Sequence, residues 1–132
     1  MKFLLMRPPS GLKNVIPLGL LYIAGYLRSY LPEVKTEIVD LRQKSLSYKE
    51  ISDVVRKFAP DIVGISALSM EAKLTHLLAR CIRDANKDIK IIVGGPYATS
   101  LPHFVLKDNN ILCCVIGEGE RTIHELLIIR SS

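Results

Sequence analysis

Short apolar runs alternate with helical patterns along the whole chain. The apolar runs predict strands at Lys2–Met6, Lys35–Leu41, Ile62–Ser66, Lys90–Val93 and Ile111–Ile116. Between the strands, apolar residues recur at helical spacing, most clearly at Leu74, Leu77, Leu78, Cys81 and Ile82. The later strands are apolar without alternation, so helices should cover both of their faces. Strands and helices that alternate in this way are typical of a parallel sheet.

This pattern predicts an α/β fold of the flavodoxin-like (Rossmann-like) doubly wound class. We expect a five-stranded parallel sheet in the order 2-1-3-4-5 with helices on both faces. The chain has 132 residues, of which 48% are hydrophobic and 23% charged. This size and composition predict one folded globular domain over residues 1–132.

Glycines and capping residues refine the helix predictions. A nearly all-apolar helix should begin at Pro17, because proline suits the first helical turn. Gly19 and Gly25 lie inside it, and each costs up to about 1 kcal/mol relative to alanine, so we expect them to pack tightly against a neighbour. Ser47 and Glu50 have the spacing of a capping box, which predicts the start of a second helix.

Charge, hydropathy and cysteine spacing exclude several classes of protein. The net charge is +5, but the basic residues are scattered, so we predict no nucleic-acid partner. No apolar stretch reaches the roughly 20 residues that span a bilayer, and the N-terminus lacks the pattern of a signal peptide. Cys81, Cys113 and Cys114 do not have metal-binding spacing and should be free thiols. We therefore expect a cytoplasmic protein without a membrane span.

The connections that follow the strands are rich in small residues. They read RPPSGLKN after the first strand, SALSM after the third, GGPYATS after the fourth and GEGER after the fifth. In doubly wound sheets, ligands bind outside the carboxyl ends of the strands, where these connections meet. The sequence therefore predicts a surface on which a large flat or elongated molecule lies.

The same connections exclude several familiar ligand sites. A phospho-acceptor receiver needs an acidic cluster after the first strand and an aspartate after the third, where this chain has Arg7 and Ser66. The hydroxyl-rich phosphate loop of a flavodoxin, the Walker motif and G-x-G-x-x-G after the first strand are all missing. Glu118 and Glu120 place carboxylates where a phosphate would have to bind, so GEGER is not a phosphate cradle.

Four motifs together resemble a known family. Ser66-Ala67-Leu68, followed after 25 residues by Gly94-Gly95, resembles the S-x-L and G-G pair of cobalamin-binding domains. PLGLLYIAGYL, PDIVGISALS, IIVGGPYATSLP and VIGEGERTIHELL resemble the N-terminal domain of cobalamin-dependent radical S-adenosylmethionine (SAM) enzymes. Among these, the chain is most similar in character to the anaerobic magnesium-protoporphyrin IX monomethyl ester cyclase type.

The resemblance implies a cofactor platform and not a complete enzyme. It implies that cobalamin binds, with the serine and the double glycine lining a slot for its nucleotide tail. The full-length enzyme would also use S-adenosylmethionine and a 4Fe-4S iron–sulfur cluster, held by a C-terminal radical SAM domain of the same longer chain. The cofactor-binding residues predicted on this basis are Ser10, Ser66, Ala67, Leu68, Gly94, Gly95, Pro96, Tyr97, Gly117, Glu118 and Gly119.

Two departures from the wider family shape the prediction. The D-x-H-x-x-G motif, whose histidine ligates cobalt in one branch, is missing after the first strand. We therefore expect base-off cobalamin with no histidine in the lower axial position. The C-x-x-x-C-x-x-C motif that holds an iron–sulfur cluster is also missing, so the radical chemistry and any methyl transfer or cyclisation belong to residues outside this chain.

Some assignments remain open at the level of sequence. Tyr97 suits stacking on a planar group and covering the core equally well. His76 falls outside the apolar stripe of its helix and is expected to face solvent. An alternative function also remains, because a fold alone does not fix a function: the chain could be a flavodoxin-like docking module that binds no ligand.

Overall fold

The structure, a computed structural model, describes residues 1–12, 15–43 and 46–131. The strands are β1 (Lys2–Arg7), β2 (Lys35–Asp40), β3 (Ile62–Ser66), β4 (Lys90–Gly94) and β5 (Cys113–Cys114). The helices are α1 (Leu18–Tyr30), α2 (Tyr48–Phe58), α3 (Ala72–Ala85), α4 (Gly95–Ser100), α5 (Pro102–Val105) and α6 (Glu120–Ser131). Short 3-10 turns follow β2 and β3, at Leu41–Gln43 and Ser69–Glu71.

The strands form one parallel sheet in the order β2-β1-β3-β4-β5. The predicted fold class and strand order are therefore confirmed. In the register of the sheet, Leu5 pairs with Gly64 and Gly64 with Ile92, while Ser66 at the end of β3 pairs with Gly94 at the end of β4. The carboxyl ends of β3 and β4 thus lie side by side.

The sheet separates two apolar layers. On one face, Phe3, Leu5 and Ile92 pack with apolar residues of α1 and α6, among them Leu27 and Leu127. On the other face, the alternating strand residues pack against α2, α3 and α4; this layer includes Leu4, Met6, Val63, Ile65, Val55, Ile82 and Tyr97. Buried faces on both sides explain why the strands read as continuous apolar runs.

Several elements differ from the predicted ones. The fifth strand pairs only at Cys113–Cys114, although the amides of Leu112 and Val115 also donate to carbonyls of β4. The backbone leaves this edge strand at Gly117, whose φ is +72°. GGPYATS, expected as a loop, is mostly the helix α4, which Pro96 suits because proline is tolerated in a first helical turn.

The packing predicted for the glycines of α1 is wrong, whereas the capping box is confirmed. A Cβ at Gly19 or Gly25 would meet nothing within 4 Å, and both residues are exposed. At the start of α2, the Ser47 side chain accepts from the Glu50 amide and the Glu50 carboxylate accepts from the Ser47 amide.

No helix within the described ranges is both long and apolar enough to cross a membrane.

Candidate functional site

A cavity opens at the carboxyl edge of the sheet, on the face that α1 and α6 cover. Its volume is about 200 Å³. Because a cavity of roughly 150 Å³ with aliphatic walls holds a benzene ring, this one has room for a small fused ring system but not for a macrocycle. The lining residues are Leu5, Gly19, Leu20, Ile23, Gly64, Ile65, Ser66, Ile92, Gly94, Gly95, Val115, Gly117, Glu118, Gly119, Glu120 and Ile123.

The cavity has a polar mouth and an apolar inner end. Its polar side chains belong to Ser66, Glu118 and Glu120, which lie where β3 ends and α6 begins. The row formed by Leu5, Gly64 and Ile92 lies two strand residues further in, about 7 Å behind Ser66 and Gly94. Ile23 of α1 and Ile123 of α6 complete the inner wall, and their side chains reach back toward the mouth, where a Cβ at Gly119 would lie 3.5 and 3.3 Å from them.

Glycines at two strand positions line this space. Gly64 faces the cavity from the middle of β3, and a Cβ there would lie 3.1 Å from the Phe3 ring and 3.2 Å from the Leu5 side chain. Gly94 ends β4 with extended backbone (φ −130°), and a Cβ there would meet Val115 at 3.7 Å, an ordinary contact. A side chain at Gly94 would therefore fit the fold while narrowing the cavity.

Gly95 is a glycine for a different reason. Its φ is +85°, and a Cβ would lie 2.9 Å from the backbone N and O of Ala67 and 2.9 Å from the Ser66 hydroxyl. The ends of β3 and β4 are tied here, because the Ala67 amide donates to Gly94 O (3.2 Å) and the Tyr97 amide to Ala67 O (2.9 Å). The close approach at this glycine is therefore made by the chain itself.

The structure brings together part of the set predicted from the sequence. The predicted residues that line the cavity are Ser66, Gly94, Gly95, Gly117, Glu118 and Gly119. The predicted residues outside its lining are Ser10, Ala67, Leu68, Pro96 and Tyr97. Roles in holding a cofactor remain predictions for all of them.

Tyr97 covers the core, and His76 is not the solvated residue that was expected. The Tyr97 side chain is buried, and burial raises the pKa of its phenol. Its hydroxyl lies 2.9 Å from Nε2 of His76, whose Nδ1 lies 2.8 Å from Oδ2 of Asp108. The connection after α5 brings Asp108 over α3, which leaves the imidazole only 29% exposed. This chain of hydrogen bonds fixes α4 directly behind the double glycine.

A buried ion pair fixes the connection after β1. Oε1 of Glu71, which is fully buried, accepts from Arg7 (2.6 Å) and from the Leu68 amide (2.8 Å). Its other oxygen accepts from the Ser10 hydroxyl. The cluster joins the ends of β1 and β3, and it explains why Ser10 points away from the cavity. Buried Nε of Arg7 has no hydrogen-bond partner among the described residues.

A second arginine holds the other end of the same connection. Arg42 is buried, and its Nε and Nη2 donate to Oδ1 and Oδ2 of Asp40 at 2.8 and 2.7 Å. Nη2 also donates to the carbonyl oxygen of Val15 at 2.8 Å. The hydrogen bond to Asp40 raises the pKa of Arg42, so the guanidinium stays charged. Hydrogen bonds from Ser10 to Glu71 and from Arg42 to Val15 therefore hold the two ends of the connection between β1 and α1.

Sequence reasoning missed the inner wall of the cavity. Leu20, Ile23 and Ile123 belong to the apolar stripes of their helices, and such stripes give no sign of a void beside them. Gly64 did carry a signal, because glycine inside a strand often marks a close approach.

In the described ranges, no group of three or more His, Cys, Asp or Glu side chains could hold a metal ion. The aliphatic side chains of the cavity wall suit the binding of an apolar group.

Comparison with known proteins identifies what this architecture is used for elsewhere. A family model described as the B12 binding domain matches residues 12–127. An uncharacterized methyltransferase of Pyrococcus horikoshii is 33% identical over 96% of this chain and 29% of its own length. The cytidylyl-2-hydroxyethylphosphonate methyltransferase of Streptomyces wedmorensis is 32% identical over 92% of the chain and 27% of its own. The anaerobic magnesium-protoporphyrin IX monomethyl ester cyclase of Rubrivivax gelatinosus is 27% identical over 86% and 20%.

Solved structures show the same fold. The radical S-adenosylmethionine methyltransferase TsrM from Kitasatospora setae superposes with a TM-score of 0.85 at 18% identity, over 98% of this chain and 26% of that one. The cobalamin-dependent S-adenosylmethionine radical enzyme OxsB gives 0.81 at 23% identity, over 98% and 18%. The chain spans less than a third of the length of each of these proteins. With a family match that covers most of the sheet, its helices and the cavity, the chain belongs to the B12-binding domain family.

Proposed function

We propose that the chain binds cobalamin base-off as the cofactor platform of a radical SAM methyltransferase or cyclase. The observation that carries the proposal is the apolar cavity at the carboxyl edge, which Gly64 and Gly94 line. It is too small for a corrin ring but suits the base at the end of the nucleotide tail. The ring would then lie outside, over the connections that follow the strands.

Base-off binding is part of the same proposal. A base in the cavity would be held away from the cobalt, and residues 8–17, which connect β1 to α1, contain no histidine that would replace it. The chain's histidines lie on α3, α5 and α6. Ser66 and the glycines of the mouth would contact the tail, and the clusters around Glu71 and Arg42 would hold the connection under the ring. When bound, cobalamin supplies cobalt chemistry for methyl transfer or for assistance to a radical step.

We also propose a second domain in a longer chain, holding the 4Fe-4S cluster and S-adenosylmethionine. The relatives extend far beyond the matched region. Residues 15–27 carry no charge, and several of their large side chains are 46–66% exposed, at Val15, Ile16, Leu18, Leu21 and Tyr22. Exposed apolar patches of this kind mark protein contacts. A C-x-x-x-C-x-x-C motif in frame after codon 132 would support this proposal, and a stop codon there would contradict it. A cytoplasmic location stays a prediction.

A titration with hydroxocobalamin tests the binding proposal. The full-length protein should take up one equivalent saturably, and the visible spectrum should change to that of the base-off form. A saturable base-on spectrum would contradict the placement of the tail. The absence of any saturable change would instead favour the docking module without a ligand.

A further inference from the structure

We infer that the cavity discriminates between corrinoids by their lower base, favouring an apolar benzimidazole over a purine. The inference rests on the proposed function, because it requires the tail to enter the cavity. It concerns a different property, namely which cobalamin-like cofactor the protein takes from a mixture. The observation that carries it is the chemistry of the inner wall.

The side chains of the inner wall offer no hydrogen bonds. Leu5 and Ile92 contribute from the sheet, Ile23 from α1 and Ile123 from α6, and Gly64 adds no side chain at all. Of the polar lining side chains, Ser66 lies about 7 Å away along β3, and Glu118 and Glu120 lie at the start of α6. A base that reaches the row of Leu5, Gly64 and Ile92 therefore meets apolar side chains there.

The backbone around the inner end is equally unable to help. β3 lies between β1 and β4, and β4 lies between β3 and β5, so their amides and carbonyls are used within the sheet. Ile23 and Ile123 lie within α1 and α6, where the backbone bonds along the helix. Polar atoms of a base that loses water here find no replacement partner.

This environment affects the two classes of base differently. A dimethylbenzimidazole presents methyl groups and ring carbons at its far edge, which aliphatic walls accommodate. An adenine presents ring nitrogens and an amino group, which lose their hydrogen bonds to water on entry. One buried polar group left unpaired weakens binding about 10- to 100-fold. We expect that factor between the dissociation constants of cobalamin and its adenine-base analogue.

Three ligands separate this inference from the proposed function. The full-length protein is titrated with cobalamin, with its adenine-base analogue and with cobinamide, which lacks the tail. Cobalamin should bind tightest, with the analogue weaker by the factor above. If both tailed corrinoids bind within 3-fold of one another and at least about 10-fold tighter than cobinamide, the inference is overturned and the proposed function stands. If cobinamide binds as tightly as cobalamin, or no corrinoid binds, both are overturned.

A variant pair tests the role of the inner wall directly. Ile23→Gln places an amide that can donate and accept on the cavity wall, at a half-buried helical position where glutamine is well tolerated. It should lower the preference for cobalamin over the adenine-base analogue at least about 5-fold. The control is Leu77→Gln, an exposed helical position on α3 outside the cavity, which should leave the preference unchanged. Equal shifts in the two variants, or none in Ile23→Gln, would overturn the inference.

Discussion

Replacing Gly95 by alanine should destabilise the fold strongly, although only one methyl group is added. The left-handed backbone at φ +85° disfavours an L-residue by about 1–2 kcal/mol. The new Cβ would also lie 2.9 Å from backbone atoms of Ala67, which cannot swing aside as a flexible side chain can. Overpacking of this kind costs about 1–3 kcal/mol. Together these effects predict a loss of about 2–5 kcal/mol in the free energy of unfolding, or roughly 8–20 °C in Tm.

The neighbouring glycine provides a matched control for this prediction. Gly94→Ala adds the same methyl group on extended backbone, 3.7 Å from Val115, so its unfolding free energy should stay within about 1 kcal/mol of the wild type. Urea unfolding followed by circular dichroism measures both variants. Equal losses in Gly94→Ala and Gly95→Ala would refute the separation of a structural glycine from a cavity glycine.

Three further predictions concern charge, pH and capping. Glu71→Ala leaves the buried Arg7 guanidinium without its counter-charge and should cost about 3–5 kcal/mol in urea unfolding; a loss below about 1 kcal/mol would show that the pair is dispensable. The hydrogen bond to Asp84 raises the pKa of Tyr48 to about 12. This hydrogen bond therefore stabilises the fold below a pH of about 10, and the stabilisation is lost as the pH rises from there to 12. Asp84→Asn should lower that pKa in a phenolate absorbance titration, and an unchanged curve would contradict the assignment. Ser47→Ala removes the capping box of α2 and should lower the free energy of unfolding by about 0.5–2 kcal/mol, measured by thermal unfolding. An unchanged free energy of unfolding would show that the capping box does not stabilise the fold.

The fold was predictable because local signals and the global pattern agree. The continuous apolar runs of β3 and β4 and the stripe of α3 each require burial on specific faces, and one parallel arrangement satisfies them all. The bounds of β5 and the helix α4 were not predictable in the same way. Both depend on where the edge of the sheet ends and on the tie between Ala67 and Tyr97, which are tertiary features.

The site was predictable only at its mouth. Ser66, Gly94 and the GEGER connection stand out in the sequence because small residues follow strand ends. The inner wall is built from residues such as Ile23 and Ile123, whose apolar character serves core packing equally well. The exposure of His76 was mispredicted for a related reason: Asp108, which bonds to it and partly covers it, lies on a connection that is distant in sequence.

The most direct test of the central claim is to fill the cavity without disturbing the fold. Gly94→Val narrows the mouth, whereas Leu77→Val changes an exposed side chain on α3, outside the cavity lining. We expect Gly94→Val to weaken cobalamin binding at least about 10-fold while cobinamide binding stays unchanged, and Leu77→Val to alter neither. Wild-type affinity for cobalamin in a folded Gly94→Val protein would contradict the claim that the tail occupies this cavity.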